Sequence, residues 1–315
     1  MPLPERQLIA AIRRLKQPRA RGSAVVKGIG DDCAVLRPPR GQELLVTTDF
    51  NLEGIHFRRE WHPAETVGHR CLARGLSDIA AMGGEPIAAF LSLALPGDLP
   101  QRWVEDFLKG LLRLGRRFGA ELAGGDVSTS PGGVLADIIV LGAVPRGRAV
   151  LRSGAKPGDR VYVTGALGGA AAVLSRMFAG ERGLKARDCP RHFYPEPRVE
   201  VGRALREKKL ATAMIDVSDG LSVDLAHICE ESGVGAEIDA EAIPRERGVD
   251  LRFALHGGDD YELIFTARGG VPRAIAGVAV SEIGVITPGR KIVLCGPGGR
   301  KELKAEGWQH FSGGS

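Results

Sequence analysis

The chain has 315 residues, 43% of them hydrophobic and 26% charged, which fits a soluble globular protein with room for two domains. Its formal charge is +5, but Arg is spread along the whole chain and only 5% of residues are aromatic, so no basic stripe with stacking rings marks a nucleic-acid binder. The five cysteines are odd in number and contain no Cys-x-x-Cys pair, which argues against a zinc site or disulfide framework and fits a reducing cytoplasm.

No apolar run is long enough to span a membrane, and the start lacks the apolar core of a signal peptide. Leu8, Ile9, Ile12 and Leu15 recur at helical spacing, so residues 3–17 read as an amphipathic helix. A polar linker leads to Gly28-Ile29-Gly30-Asp31-Asp32, a turn with adjacent carboxylates whose side chains diverge. Cys33 to Leu36 reads as a short strand.

The run Leu44-Leu45-Val46-Thr47-Thr48-Asp49 reads as a buried strand that leaves the sheet at two hydroxyls and a carboxylate. Strand ends are where α/β proteins bind ligands, and these oxygens are hard ligands of the kind Mg²⁺ takes. A capped turn would use the same residue types. His56 follows closely enough to meet the same ligand. Pro63 opens a long helix that stops at Gly83-Gly84 and carries Asp78 among small and apolar residues, an expensive place for an unpaired carboxylate.

Residues 86–95 read as a strand and residues 100–118 as an amphipathic helix. Leu122-Ala123 then leads into Gly124-Gly125-Asp126, where glycines let backbone approach phosphate oxygens closely. Residues 138–144 close the first half, with a boundary near residue 148 that divides the chain into 1–148 and 149–315. In the second half, Gly165-Ala166-Leu167-Gly168-Gly169 has neither Walker A nor dinucleotide-fingerprint spacing. Ala213-Met214-Ile215-Asp216-Val217-Ser218-Asp219-Gly220 repeats the opening device, with the second Asp left over after capping of the next helix. His256-Gly257-Gly258-Asp259-Asp260 ends a short helix, residues 261–266 and 291–295 read as strands with the latter as the last, and Trp308 sits in an aromatic tail.

Asp32, Thr47, Thr48, Asp49, Asp78, Asp126, Asp216, Ser218, Asp219 and Asp259 thus recur at strand ends and turns. So many carboxylates cannot stay ionised in one site without cations. Several Mg²⁺ ions with a polyphosphate resolve the repulsion, which points to phosphoryl transfer.

These motifs together resemble the thiamine-monophosphate kinase family, in the superfamily shared with aminoimidazole ribonucleotide synthetase and selenophosphate synthetase. The resemblance runs from Gly28 to Phe311, through Thr47-Thr48-Asp49-Phe50-Asn51-Leu52-Glu53-Gly54-Ile55-His56-Phe57, Leu76-Ser77-Asp78-Ile79-Ala80-Ala81-Met82-Gly83, Asp216-Val217-Ser218-Asp219-Gly220-Leu221 and Gly257-Gly258-Asp259-Asp260-Tyr261-Glu262-Leu263. Val127 and Gly75 depart from the family pattern. The resemblance implies a two-domain PurM-like fold of mixed α/β (α+β) type, whose N-terminal domain pairs in a homodimer. It implies Mg²⁺ ligands at Asp32, Thr47, Thr48, Asp49, Asp78, Asp126, Asp216 and Asp219, ATP contacts at Gly125, Asp126, Arg152 and Ser218, and thiamine-side contacts at His56, Asp259 and Trp308. The reaction implied is ATP-dependent phosphorylation of thiamine monophosphate to thiamine diphosphate, by direct in-line transfer with no dedicated general base. Another enzyme of the superfamily, or a silent nucleotide-binding protein, is the alternative.

Overall fold

A computed structural model describes residues 1–15, 23–29 and 33–308, and the chain divides into two compact units. The first comprises Met1–Ile79 and Gly84–Gly147. Its elements in order are α1 (Glu5–Leu15), β1 (Val25–Lys27), β2 (Val35–Leu36), β3 (Gln42–Leu52), α2 (Ala64–Ala81), β4 (Glu85–Pro96), α3 (Gln101–Phe118), β5 (Glu121–Ser130) and β6 (Leu135–Pro145). β1 and β2 form a ribbon, and the other strands form a four-stranded sheet in the order β3-β6-β4-β5. Only the β4–β5 pair is parallel, with α3 as its crossover.

The amphipathic face of α3 buries Val104, Phe107, Leu108, Leu111 and Leu114, and Gly119 stops the helix in the left-handed region at φ 72°. Trp103 stacks on Phe57 and Phe107 at centroid distances of 6.3 and 5.5 Å. Missing side chains let α2 approach both α3 and the sheet. A Cβ on Gly68 would fall 1.9 Å from the Phe107 carbonyl oxygen, and one on Gly110 would fall 1.9 Å from that of Glu65. A Cβ on Gly75 would lie 2.5 Å from Val140 Cγ2 on β6, so helix and sheet are closely packed there.

The second unit runs from Arg148 onward and includes Ala80–Gly83, where the Met82 carbonyl accepts from Val150 N–H at 3.1 Å. It contains β7 (Arg160–Thr164), α4 (Gly169–Phe178), α5 (Pro190–Phe193), α6 (Val199–Glu207), β8 (Ala213–Asp216), α7 (Leu221–Ser232), β9 (Gly235–Asp239), α8 (Leu251–His256), β10 (Leu263–Ala267), β11 (Ala274–Ile275), β12 (Val278–Thr287), β13 (Ile292–Gly296) and β14 (Gly299–Glu302). Seven strands lie in the order β14-β13-β9-β12-β7-β10-β8, with β11 paired to β12. Its core gathers Val161, Val163, Ile215, Leu225, Ile228, Ile264 and Ile283. Residues 291–295 are not the last strand, because β14 turns back on β13. Among the described residues, no helix is long and apolar enough to cross a membrane.

The reciprocal glycine contact of α2 and α3 generates a prediction. Gly68→Ala and Gly110→Ala should each destabilise the first unit by about 1–3 kcal/mol, the usual cost of overpacking. Denaturant unfolding followed by tryptophan fluorescence measures this, and a shift below about 0.5 kcal/mol in both variants would show that the helices separate without cost.

Candidate active site

In the first unit, β3 does not end at Asp49. It continues to Leu52, with Thr47, Thr48 and Asp49 paired opposite Val140, Ile139 and Ile138 of β6. The pleat therefore separates the three side chains. Thr47 and Asp49 face α2, whereas Thr48 faces the other way and donates to Asp137 Oδ1 at 2.8 Å. On α2, Arg74 and Asp78 lie one helical turn apart and meet the strand. The Thr47 hydroxyl donates to Asp78 Oδ2, and Arg74 Nε lies 3.7 Å from Asp49 Oδ1.

Asp49 Oδ2 is buried and has no hydrogen-bond partner. Burial first, and then the Asp78 charge, push the Asp49 carboxyl from its ordinary 3.8 to about 6, against the pull of Arg74. Two carboxylates and a hydroxyl with an unsatisfied buried oxygen fit a hard divalent cation such as Mg²⁺, which completes its shell with water and phosphate oxygens. The neighbouring thiol of Cys71 is no nucleophile, because burial pushes it up to about 12.

Other expected ligands stand apart. Among the described residues, no group of three or more His, Cys, Asp or Glu side chains is arranged to hold a metal ion. Asp126 lies within β5 rather than after a strand, level with Ser92 of β4. β3 and β5 are the two edges of the sheet, three strand spacings or roughly 14 Å apart. Gly125, at φ 141°, is required by strand pairing, since a Cβ there would fall 1.8 Å from the Leu91 carbonyl oxygen. Asp126 instead lines a cavity of about 850 Å³ with Ile9 and Ile12 of α1, Gly28, Ile29, Cys33, Ala34, Phe90 and Gly124. Asp32 lies outside the described residues. His56 sits in the turn after β3, where its Nδ1 accepts from Leu52 N–H at 3.0 Å, so its proton is carried on Nε2.

In the second unit, Asp216 is the buried last residue of β8, opposite Leu263. Neither Ser218 nor Asp219 caps α7. Its N-cap is Gly220, at φ 119°, with no side-chain cap bond. The turn is instead tied by Asp224, whose Oδ2 accepts from the backbone N–H groups of Ser218, Asp219 and Gly220 at 3.1, 3.1 and 3.0 Å. The segment carrying Asp259 zips onto the same turn, with Asp259 N–H donating to Ser218 O and Tyr261 N–H to Val217 O, both at 2.8 Å. Asp259 and Tyr261 have φ of 65° and 51°, left-handed values that strain a side-chain-bearing residue. The Tyr261 hydroxyl donates to Asp259 Oδ1 at 2.7 Å. Trp308 is half exposed, and its backbone N–H donates to the Asp219 carbonyl at 3.0 Å. Arg152 is exposed, and its carbonyl accepts from the Ser232 hydroxyl.

Residues 30–147 match the family model of the AIR synthase related protein N-terminal domain, and residues 156–305 that of its C-terminal domain. The thiamine-monophosphate kinase of Salmonella typhimurium is 42% identical over 273 residues, covering 83% of this chain and 82% of that protein. The chain belongs to the thiamine-monophosphate kinase family. The crystal structure of the family member from Stenotrophomonas maltophilia K279a superposes with a TM-score of 0.79 at 34% identity, covering 95% of this chain and 96% of that one. A further structure, AaThiL complexed with AMPPCP and TMP, has a TM-score of 0.77 at 30% identity and covers 96% of each chain.

Arg74, Asp137 and Asp224 escape the sequence analysis, and Asp260 and Glu262 enter it only as positions of a motif with no role assigned. Arg74 carries a signal, since it is four residues before Asp78 on one helix face. Asp137 becomes visible only with the β3–β6 register. Asp224, Asp260 and Glu262 act through partners that no spacing reveals. Asp260 accepts from Gly168 N–H at 2.6 Å, and the fully buried Glu262 binds Thr164, Arg191 and Arg198.

The Asp49 carboxyl generates the next prediction. An acid raised in the fold contributes stability below its unfolded pKa and loses it as pH rises through its folded pKa. Without divalent cation, the wild type should therefore lose stability between about pH 4 and about pH 6, and Asp49→Asn should melt higher than wild type near pH 8. Mg²⁺ should reverse that order by stabilising only the wild type. Thermal melts in chelator and in Mg²⁺ measure this, and an unchanged order would remove Asp49 from the cation site.

Proposed function

We propose that this chain phosphorylates thiamine monophosphate to thiamine diphosphate with ATP, by direct in-line transfer of the γ-phosphoryl group. The observation that carries this reading is the buried, unpartnered Asp49 Oδ2 beside Asp78 and Thr47, in a chain 42% identical to a thiamine-monophosphate kinase. The ligands of the related AaThiL complex, AMPPCP and TMP, support the same substrate pair.

The acceptor phosphate has its second pKa near 6 and is largely dianionic at neutral pH, so it needs no base to become a nucleophile. The obstacle is repulsion between two polyanions. Several Mg²⁺ ions would neutralise that charge, one held by Asp49 and Asp78 with Thr47, and others for which Asp32, Thr48, Asp126, Asp216 and Asp219 are the proposed ligands. Gly125 and Asp126 line the apolar cavity, which suits a purine ring, and Arg152 and Ser218 are proposed as phosphate contacts. His56 would present its Nε2–H to the substrate as a donor. Asp259 and Trp308 would meet the thiamine end, with the indole face over the cationic thiazolium.

A homodimer and a cytoplasmic location complete the proposal. Leu44, Val46 and Phe50 of β3 are 45, 66 and 56% exposed, an apolar face on an edge strand that a second copy would cover. Neither nucleic acid nor membrane is a proposed partner.

Product formation from ATP should occur with thiamine monophosphate and not with thiamine or aminoimidazole precursors. Asp78→Asn should lower kcat by roughly 10²–10⁴-fold with its circular dichroism unchanged, the range for loss of a principal electrostatic stabiliser. Nucleotide binding without turnover in the wild type would favour the silent-binder reading. Normal turnover in Asp78→Asn at saturating Mg²⁺ would sink the metal assignment.

Trp308→Ala should weaken thiamine monophosphate binding more than ATP binding, by a cation–π contribution of roughly 0.5–2 kcal/mol, with Trp308→Phe milder. Isothermal titration with each ligand decides this, and equal weakening of both would make Trp308 a structural contact.

A further inference from the structure

The 218–220 turn is held from inside and loaded from outside. Inside, one oxygen of Asp224 collects three consecutive backbone N–H groups. Three converging N–H groups form an anion-binding nest, the device that usually cradles a phosphate. Here the chain's own carboxylate fills it, and Asp224 is only 2% exposed. Asp224 is the fourth residue of α7, and helical side chains tilt toward the N-terminus, so it reaches back into the turn that precedes its own helix.

Outside, the same turn's carbonyls receive the amides of two proposed substrate contacts. Ser218 O accepts from Asp259 and Asp219 O from Trp308. Gly220 closes the turn at a φ that L side chains rarely adopt, and a Cβ there would fall 2.8 Å from the His256 carbonyl carbon. The turn therefore has little freedom to recover a second arrangement once its inner tie is lost.

We infer that Asp224 is a positioning residue for phosphoryl transfer, anchoring one turn that sets both the nucleotide-side groups Ser218 and Asp219 and the thiamine-side groups Asp259 and Trp308. This rests on the proposed function. It also means that this nest is closed to substrate phosphate, so Ser218 and Asp219 act through their side chains.

The test uses the full chain with Asp224→Ala, which removes the acceptor, and Asp224→Asn, which keeps shape and one acceptor oxygen. Hydrogen exchange of the peptide spanning residues 217–221 should accelerate at least tenfold in Asp224→Ala, with β8 and β10 unchanged. In steady state, Asp224→Ala should lower kcat about tenfold or more and raise KM for both ATP and thiamine monophosphate, and Asp224→Asn should recover at least a third of the wild-type kcat. Should Asp224→Ala not fold, Asp224→Asn alone must still show intermediate exchange and a rise in both KM values. Unchanged exchange would overturn the anchoring. Faster exchange with wild-type kcat and KM would overturn the positioning role and leave Asp224 merely structural. A wild type that transfers no phosphate would overturn the proposed function and the turn's part in it, while the exchange comparison would still decide the anchoring.

Discussion

Two carboxylates facing each other across a helix–strand contact set the terms for the first unit. Asp49 on β3 and Asp78 on α2 repel, and burial makes the repulsion worse by removing the water that would screen it. Arg74 neutralises one side, and Thr47 gives Asp78 a hydroxyl donor, but Asp49 keeps an oxygen with nothing to bind. The close approach that creates this pair is bought with missing side chains. Besides Gly75 against Val140, a Cβ on Gly142 would crowd Ile79 at 2.7 Å, and one on Gly84 would crowd Leu45 at 2.5 Å. The unit thus gives up packing atoms to hold like charges together, an arrangement that is unfavourable by itself and that the proposed cation would offset.

Much of this was legible in the sequence. Helices α2 and α3 announce themselves through apolar periodicity and their terminal glycines, and the acidic motifs stand out because hard-ligand residues follow apolar runs. β3 is where the pattern misleads. Beyond the buried Leu45 its inner face carries Thr47, Asp49 and Asn51, while its outer face carries Val46, Thr48 and Phe50, so polar residues face inward where an ordinary half-buried strand puts apolar ones. A reader expecting polar residues outside ends the strand at Asp49, yet the backbone pairing runs on to Leu52. The same happens at Gly124-Gly125-Asp126, which looks like a loop and is strand. β12 escapes for another reason, since the register shift between Glu282 and Gly284 interrupts its alternation. The side chains that tie turns together are the least visible, because their partners are backbone N–H groups without residue identity.

Strand order also separates residues that motif reading pools. Asp49 and Asp126 occupy opposite edges of one four-stranded sheet, so the ligand proposed to be shared between them cannot be reached by direct convergence within that sheet. An extended polyphosphate with more than one cation, or a second copy laid against the apolar outer face of β3, is the chemistry that such spacing suits. An edge strand of 11 residues with exposed Leu44, Val46 and Phe50 is also a liability in isolation, which gives the proposed dimer a physical reason independent of catalysis.

The second unit solves a different problem, that of keeping a strained segment in place. Left-handed backbone at Asp259 and Tyr261 costs of the order of 1–3 kcal/mol each and persists only where the surroundings over-determine it. The intervening and following carboxylates supply that. Asp260, its carboxyl raised to about 7 by burial, takes the Gly168 N–H, and Glu262 is gripped by Arg191, Arg198 and Thr164 with no exposure to water. A buried ion pair of this kind contributes little net stability, because desolvation offsets its attraction, but breaking it is costly because a charge is left alone. That asymmetry is what a strained loop requires: the alternative conformations are penalised more than the native one is rewarded. Odd positions 259 and 261 zip to the Val217–Ser218 backbone while even positions 260 and 262 lock into the core, so the side chain of Asp259 is aimed by its neighbours on both sides. The tie from Asp224 on α7 completes the same logic from the other side, and one small carboxylate-rich turn thereby takes its geometry from side chains buried behind it.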